Sequence, residues 1–162
     1  MNTFETIAPT SRIWIYQSRT RLSEPVKAGI REKASRYVSQ WKSHGSSVDA
    51  SFTILHDHFL IMAMDESQTT AGGCSIDTLL QFVQGLEKEF GLSLLNRMIL
   101  AWEEGGEVKT ADMAAFEALL DAGKLNQDTL VFNNLIEHKS DLESGWRIPL
   151  RQSWHSRLLK VK

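Results

Sequence analysis

Short apolar runs with strand character alternate in the first half of the chain with longer stretches of helical periodicity. Arg12–Gln17 is rich in β-branched and aromatic residues, and 50–55 and 59–64 are further strand-like runs. Val26–Trp41 and Ile76–Phe90 carry apolar residues at helical spacing. Because the run 59–64 is apolar at every position, it predicts a central strand that is covered on both faces.

The order of these elements predicts the fold class. With 97–102 as a further strand, the chain reads strand, helix, strand, strand, helix, strand. That order is typical of the split βαβ of ferredoxin-like folds, an antiparallel sheet with two helices on one face. We predict an α+β protein with a βαββα part over residues 1–95 and a smaller C-terminal α+β part over 96–162. The patterns leave open whether the two parts pack as one unit.

Composition and charge exclude several classes of protein. The chain of 162 residues carries a net charge of -2, which argues against a broad nucleic-acid surface. Its start lacks the basic and apolar regions of a signal peptide, and its longest apolar run, 59–64, is far below the roughly 20 residues that span a bilayer. The single cysteine favours a reducing compartment. We predict a cytoplasmic protein without membrane insertion or nucleic-acid partner, and leave its oligomeric state open.

The segment Asp65–Asp77 carries the most promising chemistry. A Gly-Gly step precedes Cys74, the only cysteine, at the predicted start of a helix, where backbone N–H groups and the helix dipole favour an anion or a thiolate. Cys74 is open to interpretation as a nucleophile or as a small buried apolar residue. A third interpretation is a backbone site for phosphate or carboxylate, in which Ser75 donates its hydroxyl. The ligand-binding candidates are Asp65, Ser67, Gly72, Gly73, Cys74 and Ser75.

Cys74, Ser75 and Asp77 are the candidate catalytic residues of the same segment. Asp77, which the sequence places in the first helical turn, would repel an anion. A nucleophilic Cys74 needs a base, and the sequence offers three without placing any of them: His44, His56 and His58.

Metal binding is weighed against simpler roles. Asp65, Glu66 and Asp77 could hold Mg²⁺ or Ca²⁺, but neighbours on a strand point to opposite faces, which favours a strand end and a helix cap. His56 and His58 could bind a transition metal, and a role in a hairpin turn is favoured. We predict neither a metal site nor a cofactor.

The aromatic and basic tail is the candidate contact surface for a protein partner. Trp and Arg are the residue types enriched at binding hot spots. Packing of the tail back onto a sheet is the alternative. The candidate partner-binding residues are Trp146, Arg147, Trp154, His155 and Arg157.

Five segments together resemble the landmarks of a family of small uncharacterised bacterial proteins. The segments are Arg12–Gln17, Asp65–Ser67, Gly73–Asp77, Val131–Leu135 and Ser153–Arg157. Members of this family often carry the label "ABC transporter ATPase". That label implies a P-loop, but the chain has no Gly-x-x-x-x-Gly-Lys-Ser/Thr, so ATPase activity is not predicted.

Residues 99–146 are similar to bacterial GYF-like modules, small interaction domains that can bind Pro-rich peptides. The resemblance rests on Trp102, the Gly105-Gly106 turn, the helix with Phe116 and the run Gly123–Phe132. The chain lacks the Gly-Pro that follows the hairpin in those modules, and Phe132 stands where Trp is usual. The resemblance therefore implies a shared strand–turn–strand–helix–strand plan rather than shared ligand binding.

These observations favour a non-catalytic binding or assembly protein. They rest on the near-neutral charge, the absence of a known catalytic motif and the GYF-like half. The alternative is a small enzyme or an anion-binding protein that uses the Gly72–Asp77 segment. A nucleotide-binding protein, as the family label implies, is a third hypothesis.

Overall fold

The computed structural model describes residues 2–160, so the outermost ends of the predicted 1–95 and 96–162 parts lie outside the described residues. No helix within this range is long and apolar enough to cross a membrane. In chain order, the elements are β1 (Arg12–Gln17), α1 (Glu24–Gln40), β2 (Lys42–Ser43), β3 (Ser46–Ser47), β4 (Ala50–Leu55), β5 (Phe59–Met64), α2 (Gly73–Phe90), β6 (Ile99–Glu104), β7 (Glu107–Asp112), α3 (Met113–Asp121), β8 (Leu130–Phe132), a π-helical turn (Leu142–Trp146), β9 (Arg147–Pro149) and two 3₁₀ helices (Leu150–Gln152 and Trp154–Leu158).

The chain is an α+β protein that divides into two compact units. The first unit comprises the described residues up to Leu95 together with Glu137–Ser140. The second comprises Asn96–Ile136 and the described residues from Asp141 onward. The strand pairs within both units are antiparallel.

A three-stranded sheet with the order β1-β5-β4 forms the centre of the first unit. Every residue of β5 is buried, which confirms the prediction of a central strand covered on both faces. Alternate side chains of β5 share one hydrophobic core with side chains of both long helices, so α1 and α2 pack on the same face. The residues of this core that decide the arrangement are Leu60, Met62, Met64, Ile30, Val38, Leu79 and Val83.

The strand that we predicted over 97–102 does not complete this sheet. It forms β6, which pairs with β7 and β8 in a second sheet. Gly105 and Gly106, with φ of +59° and +81°, close the tight turn that gives β6 a local partner in β7. Among the described residues, the first sheet therefore has three strands rather than the four of a ferredoxin-like sheet.

A short hairpin follows α1. The helix ends at Gln40, and β2 pairs with β3. His44 and Gly45 form the two-residue turn between these strands, with φ of +52° and +79°. Positive φ at both central positions is the signature of a type I′ hairpin, so the left-handed Gly45 serves a strand turn rather than a helix end.

The loop Glu137–Ser140 closes the edge of the first sheet at β1. The Ile13 N–H donates to the Glu137 carbonyl at 2.8 Å, next to a bridge between Arg12 and His138. Lys139 Nζ donates to the carbonyls of Glu5 and Ile7 at 3.0 and 2.8 Å. The segment Glu137–Ser140, which is distant in sequence, thus holds β1 and the residues before it in place.

The second unit contains a four-stranded sheet with the order β7-β6-β8-β9. Its elements over 99–132 follow the strand–turn–strand–helix–strand plan that the sequence predicted. Asp112 caps α3 by accepting the Ala115 N–H at 2.8 Å. The core of this unit is built around Trp102, Phe116, Val131 and Leu150.

Candidate functional site

A cleft of about 590 Å³ opens in the first unit, where the end of α1, the β2–β3 hairpin and the start of α2 meet. Its size lies within the range of roughly 300–1,000 Å³ that is typical of small-molecule sites. The lining residues are Tyr37, Gln40, Trp41, Lys42, His44, Gly45, Gly72, Gly73, Cys74, Ser75 and Thr78. The cleft therefore contains the Gly-Gly step and the cysteine on which the sequence analysis centred.

Ser43 fastens the hairpin to the loop that precedes α2. Its hydroxyl donates to the Thr70 carbonyl at 2.6 Å and accepts the Gly72 N–H at 3.2 Å. The side chain is buried, so both hydrogen bonds are protected from water. Because Ser43 lies between Lys42 and His44, this contact also determines where those two side chains leave the backbone.

A chain of hydrogen bonds ties α1 to the first turns of α2. The Ser75 carbonyl accepts from Trp41 Nε1 at 3.1 Å and from the Thr78 hydroxyl at 2.9 Å. Since the Thr78 proton is used there, the Tyr37 hydroxyl is the donor in its 3.1 Å contact with Thr78 Oγ1. Burial raises the pKa of Tyr37, opposed by the Thr78 hydrogen bond.

The start of α2 opens into the cleft without a side-chain cap from any described residue. Gly72 is the N-cap, and Gly73 and Cys74 are the first two helical residues, both exposed. Their N–H groups belong to the first turn, where the helix offers no carbonyl to accept them. The prediction that Asp77 lies in this turn is wrong, because the helix begins at Gly73 and its first turn contains no acidic residue.

His44 lies against the backbone of Gly72. A methyl group at Gly72 would come within 3.1 Å of His44 Cε1 and 3.2 Å of Nε2. The imidazole can approach this closely because Gly72 has no side chain. Of the three histidines that the sequence offered as a base, His44 is the one that lines the cleft with Cys74.

The formal charge of the described residues that line the cleft is positive, because they include Lys42 and no aspartate or glutamate. The chain as a whole carries 20 acidic and 18 basic side chains, so this composition is local to the cleft. The Lys42 ammonium, the N–H groups at a helix start and the lack of carboxylates in this described lining together favour an anion.

Three side chains, those of Ser75, Asp65 and Glu66, hold the loop before α2 in shape through hydrogen bonds to its backbone. The buried Ser75 hydroxyl donates to the Gly72 carbonyl at 2.7 Å, which occupies its only proton. Asp65 accepts the Ser67 N–H at 2.9 Å, and Glu66 accepts the Ala71 N–H at 2.7 Å. Asp65, Ser67 and Asp77 are not among the described residues that line the cleft.

His56 and Asp57 occupy the turn between β4 and β5, with φ of +54° and +56°. The Asp57 carboxylate pairs with Lys27 at 2.5 Å and with Arg21 at 3.0 Å, and these cations lower its pKa. Across residues 2–160, no group of three or more His, Cys, Asp or Glu side chains is arranged to hold a metal ion.

The C-terminal candidates are divided between the core and the surface of the second unit. Trp146 is buried against Phe132, and its Nε1 donates to Asn134 Oδ1 at 2.9 Å. His155 is also buried, so the structure presents neither side chain to a partner. Arg147 pairs with Glu103 through two nitrogens, Trp154 is half-buried against the His155 ring, and Arg157 is exposed.

Comparison of the chain with protein-family models, with curated proteins and with solved structures found no match. The resemblances to the bacterial family and to GYF-like modules therefore stay predictions.

The wall of the cleft that α1 and the hairpin provide was not predicted from the sequence. Tyr37 and Trp41 were assigned to a helix, and their i, i+4 spacing was the signal that they share a face. Lys42 and Ser43 gave no such signal, because a two-residue strand is too short to show a period. Their role depends on contacts with residues about 30 positions later in the chain.

Proposed function

We propose that this protein is a non-catalytic binding protein whose cleft in the first unit takes a small anionic ligand. The observation that carries the proposal is the composition of the cleft: Lys42, His44 and the uncapped start of α2, with no carboxylate among the described lining residues. We also propose a cytoplasmic location without a nucleic-acid partner, supported by an exposed free thiol and a net charge of -2.

The rigidity of the cleft supports binding. Hydrogen bonds of 2.6 to 3.2 Å from Ser43, from Trp41 and between Tyr37 and Thr78 hold the two walls together. A site whose donors are already positioned loses little conformational freedom when a ligand arrives, so more of the interaction energy remains as affinity.

Substitution of Gly73 tests the role of the α2 start. Proline is well accommodated at the first position of a helix, and the preceding Gly72 has the extended backbone that proline requires, with φ of -92° and ψ of 171°. Gly73→Pro therefore removes one N–H donor with little disturbance of the fold. We expect it to weaken the binding of inorganic phosphate by about tenfold, since hydrogen bonds to charged groups contribute about 1.5–3 kcal/mol.

Gly73→Ala is the matched control, because a methyl group there meets no heavy atom within 4 Å and the N–H is kept. Binding is measured by ¹H–¹⁵N NMR titration of the full chain with phosphate, against chloride at equal ionic strength. If the amides of Gly73 and Cys74 do not shift with phosphate in the wild-type protein, the anion site is absent.

A small thiol enzyme is the second candidate function, favoured by the position of His44 beside Gly72. Cys74 is exposed, and both side chains line the cleft. In this role His44 would take the thiol proton, leaving a thiolate stabilised by the N-terminal end of the α2 dipole.

The reaction of Cys74 with iodoacetamide between pH 5 and 9 tests this second candidate. A Cys74–His44 pair is expected to react faster than glutathione near pH 6, and His44→Asn is expected to remove that advantage. Asparagine tolerates the left-handed backbone at position 44, so the hairpin is retained. A Cys74 that reacts more slowly than glutathione across the whole range ends this candidate.

A further inference from the structure

The cleft is much larger than an inorganic anion requires. Its volume of about 590 Å³ falls in the range that is typical of small-molecule sites. An inorganic anion held by Lys42, His44 and the start of α2 would leave much of this volume unfilled. The ligand therefore has a body as well as an anionic group.

The wall beside Tyr37 is aromatic and rigid. The Tyr37 ring stacks on Phe82, with 4.4 Å between ring centroids and 14° between ring planes, and lies 5.4 Å from the Trp41 ring. Its hydroxyl is held by Thr78. Trp41 is buried, and its ring centroid lies 5.5 Å from that of Trp14, so packing fixes the position of the Trp41 ring.

A rigid aromatic wall favours a flat partner. Aromatic rings gain additional interaction from offset or edge-to-face contact with another ring, which a flexible alkyl chain does not provide. A fixed ring also requires little ordering when the ligand binds. The Lys42 ammonium and the first N–H groups of α2 together suit a doubly charged anionic group better than a singly charged one.

We propose that the ligand is an aromatic phosphomonoester, with its phosphate at the Lys42–His44 end of the cleft and its ring against Tyr37. This inference rests on the proposed function for the phosphate end. The contact of the ligand ring with the Tyr37 wall is independent of it.

Four probes of the full chain separate the two ends of the cleft. Phenyl phosphate carries both parts, glycerol 1-phosphate carries the charge on an aliphatic body, inorganic phosphate carries the charge alone, and phenol carries the ring alone. We expect phenyl phosphate to bind about tenfold tighter than glycerol 1-phosphate, because ring contact adds to burial. In the wild-type complex, nuclear Overhauser effects are expected between the ligand ring and Tyr37.

Variants at two tyrosines show whether the preference for phenyl phosphate over glycerol 1-phosphate depends on Tyr37. Tyr37→Leu is expected to bring the affinity for phenyl phosphate down to that for glycerol 1-phosphate. Tyr16→Leu makes the same change in β1 at a residue that is not among those lining the cleft, and the preference should survive there. If Tyr37→Leu does not fold, the wild-type probe series decides the matter by itself.

The two proposals fail in different ways. Equal affinities for phenyl phosphate and glycerol 1-phosphate would overturn the aromatic inference and leave the anion site in place. Phenol binding as tightly as phenyl phosphate would overturn the anion site and keep the ring contact. Overhauser effects to residues outside the cleft would overturn the aromatic inference even if the affinities differ.

Discussion

Acidification from pH 7 to pH 4 is expected to cost the protein about 3 kcal/mol of stability through one buried histidine. Burial lowers the pKa of His155 from 6.5 to about 4. Between these values the unfolded chain binds a proton that the folded chain does not, so the free energy of unfolding falls as the pH falls. Well above pH 6.5 this contribution is constant, because His155 is then neutral in both states.

The packing around His155 explains why the folded chain resists protonation. Its Nδ1 forms a 2.7 Å hydrogen bond with the Ser153 hydroxyl. The centroid of its ring lies 4.0 Å from that of Trp154 and 5.8 Å from that of Phe116. Neither neighbouring ring carries a charge that could stabilise an imidazolium. A protonated His155 would be removed from water without an anionic partner among these three residues.

Urea unfolding between pH 4 and pH 7 measures this effect as a difference between variants. His155→Asn keeps a group that can hydrogen-bond to Ser153 but cannot titrate in this range. The change in its free energy of unfolding between pH 7 and pH 4 should therefore be smaller than that of the wild type by about 3 kcal/mol. A pH dependence of His155→Asn equal to that of the wild type would contradict the prediction.

Gly29→Ala is expected to destabilise the first unit by on the order of 1 kcal/mol, because overpacking of the contact between α1 and α2 costs about 1–3 kcal/mol and the better helix former returns only about 1 kcal/mol. A methyl group at Gly29 would lie 2.6 Å from Cζ and 2.7 Å from Cε1 of the Phe90 ring. Real contacts between carbon atoms are about 3.5–4.0 Å, so either the ring or the helix must move. Chemical denaturation followed by circular dichroism provides the measurement.

Gly85→Ala is the matched control within α2. A methyl group at Gly85 meets no heavy atom within 4 Å, so the helix should gain up to about 1 kcal/mol from the better helix former. The two substitutions are chemically identical and should have opposite signs. In the double variant Gly29→Ala/Phe90→Leu, relief of the clash should recover part of the loss. A Gly29→Ala protein as stable as the wild type would show that α1 and α2 pack less closely than described.

The cleft and the core of the first unit depend on the same contacts. Trp41 contributes to the hydrophobic core and also donates to the Ser75 carbonyl, while Tyr37 connects α1 to α2 through Phe82 and Thr78. Substitutions at these positions therefore change both stability and ligand binding. Gly73 and Tyr37 are useful test sites. Gly73→Pro removes one N–H donor but suits the first position of the helix, and Tyr37→Leu removes the aromatic ring but keeps an apolar side chain.

Several local features follow directly from the sequence. Ser23 caps α1 by accepting the Val26 N–H at 3.3 Å, and Gly91 ends α2 with φ of +64°. Serine and glycine are residue types that favour these two positions. The uniformly apolar run 59–64 is the central strand, since a strand with polar residues on neither face must be covered on both. These features depend on neighbours within a few residues or on a simple period.

The partners of the strands and helices were decided only by the tertiary structure. The sequence pattern alone does not decide whether the strand after Leu95 pairs with β1 or with another strand. In the structure it pairs with β7, to which a short two-glycine turn joins it at little cost in chain entropy. The cleft depended on Ser43 meeting Thr70 and on His44 meeting Gly72, pairs about 28 residues apart. Hydrophobic and glycine patterns determine which segments form helices, strands and turns. The contacts that assemble Lys42, His44 and Cys74 around one cleft come from long-range packing, which leaves no period in the sequence.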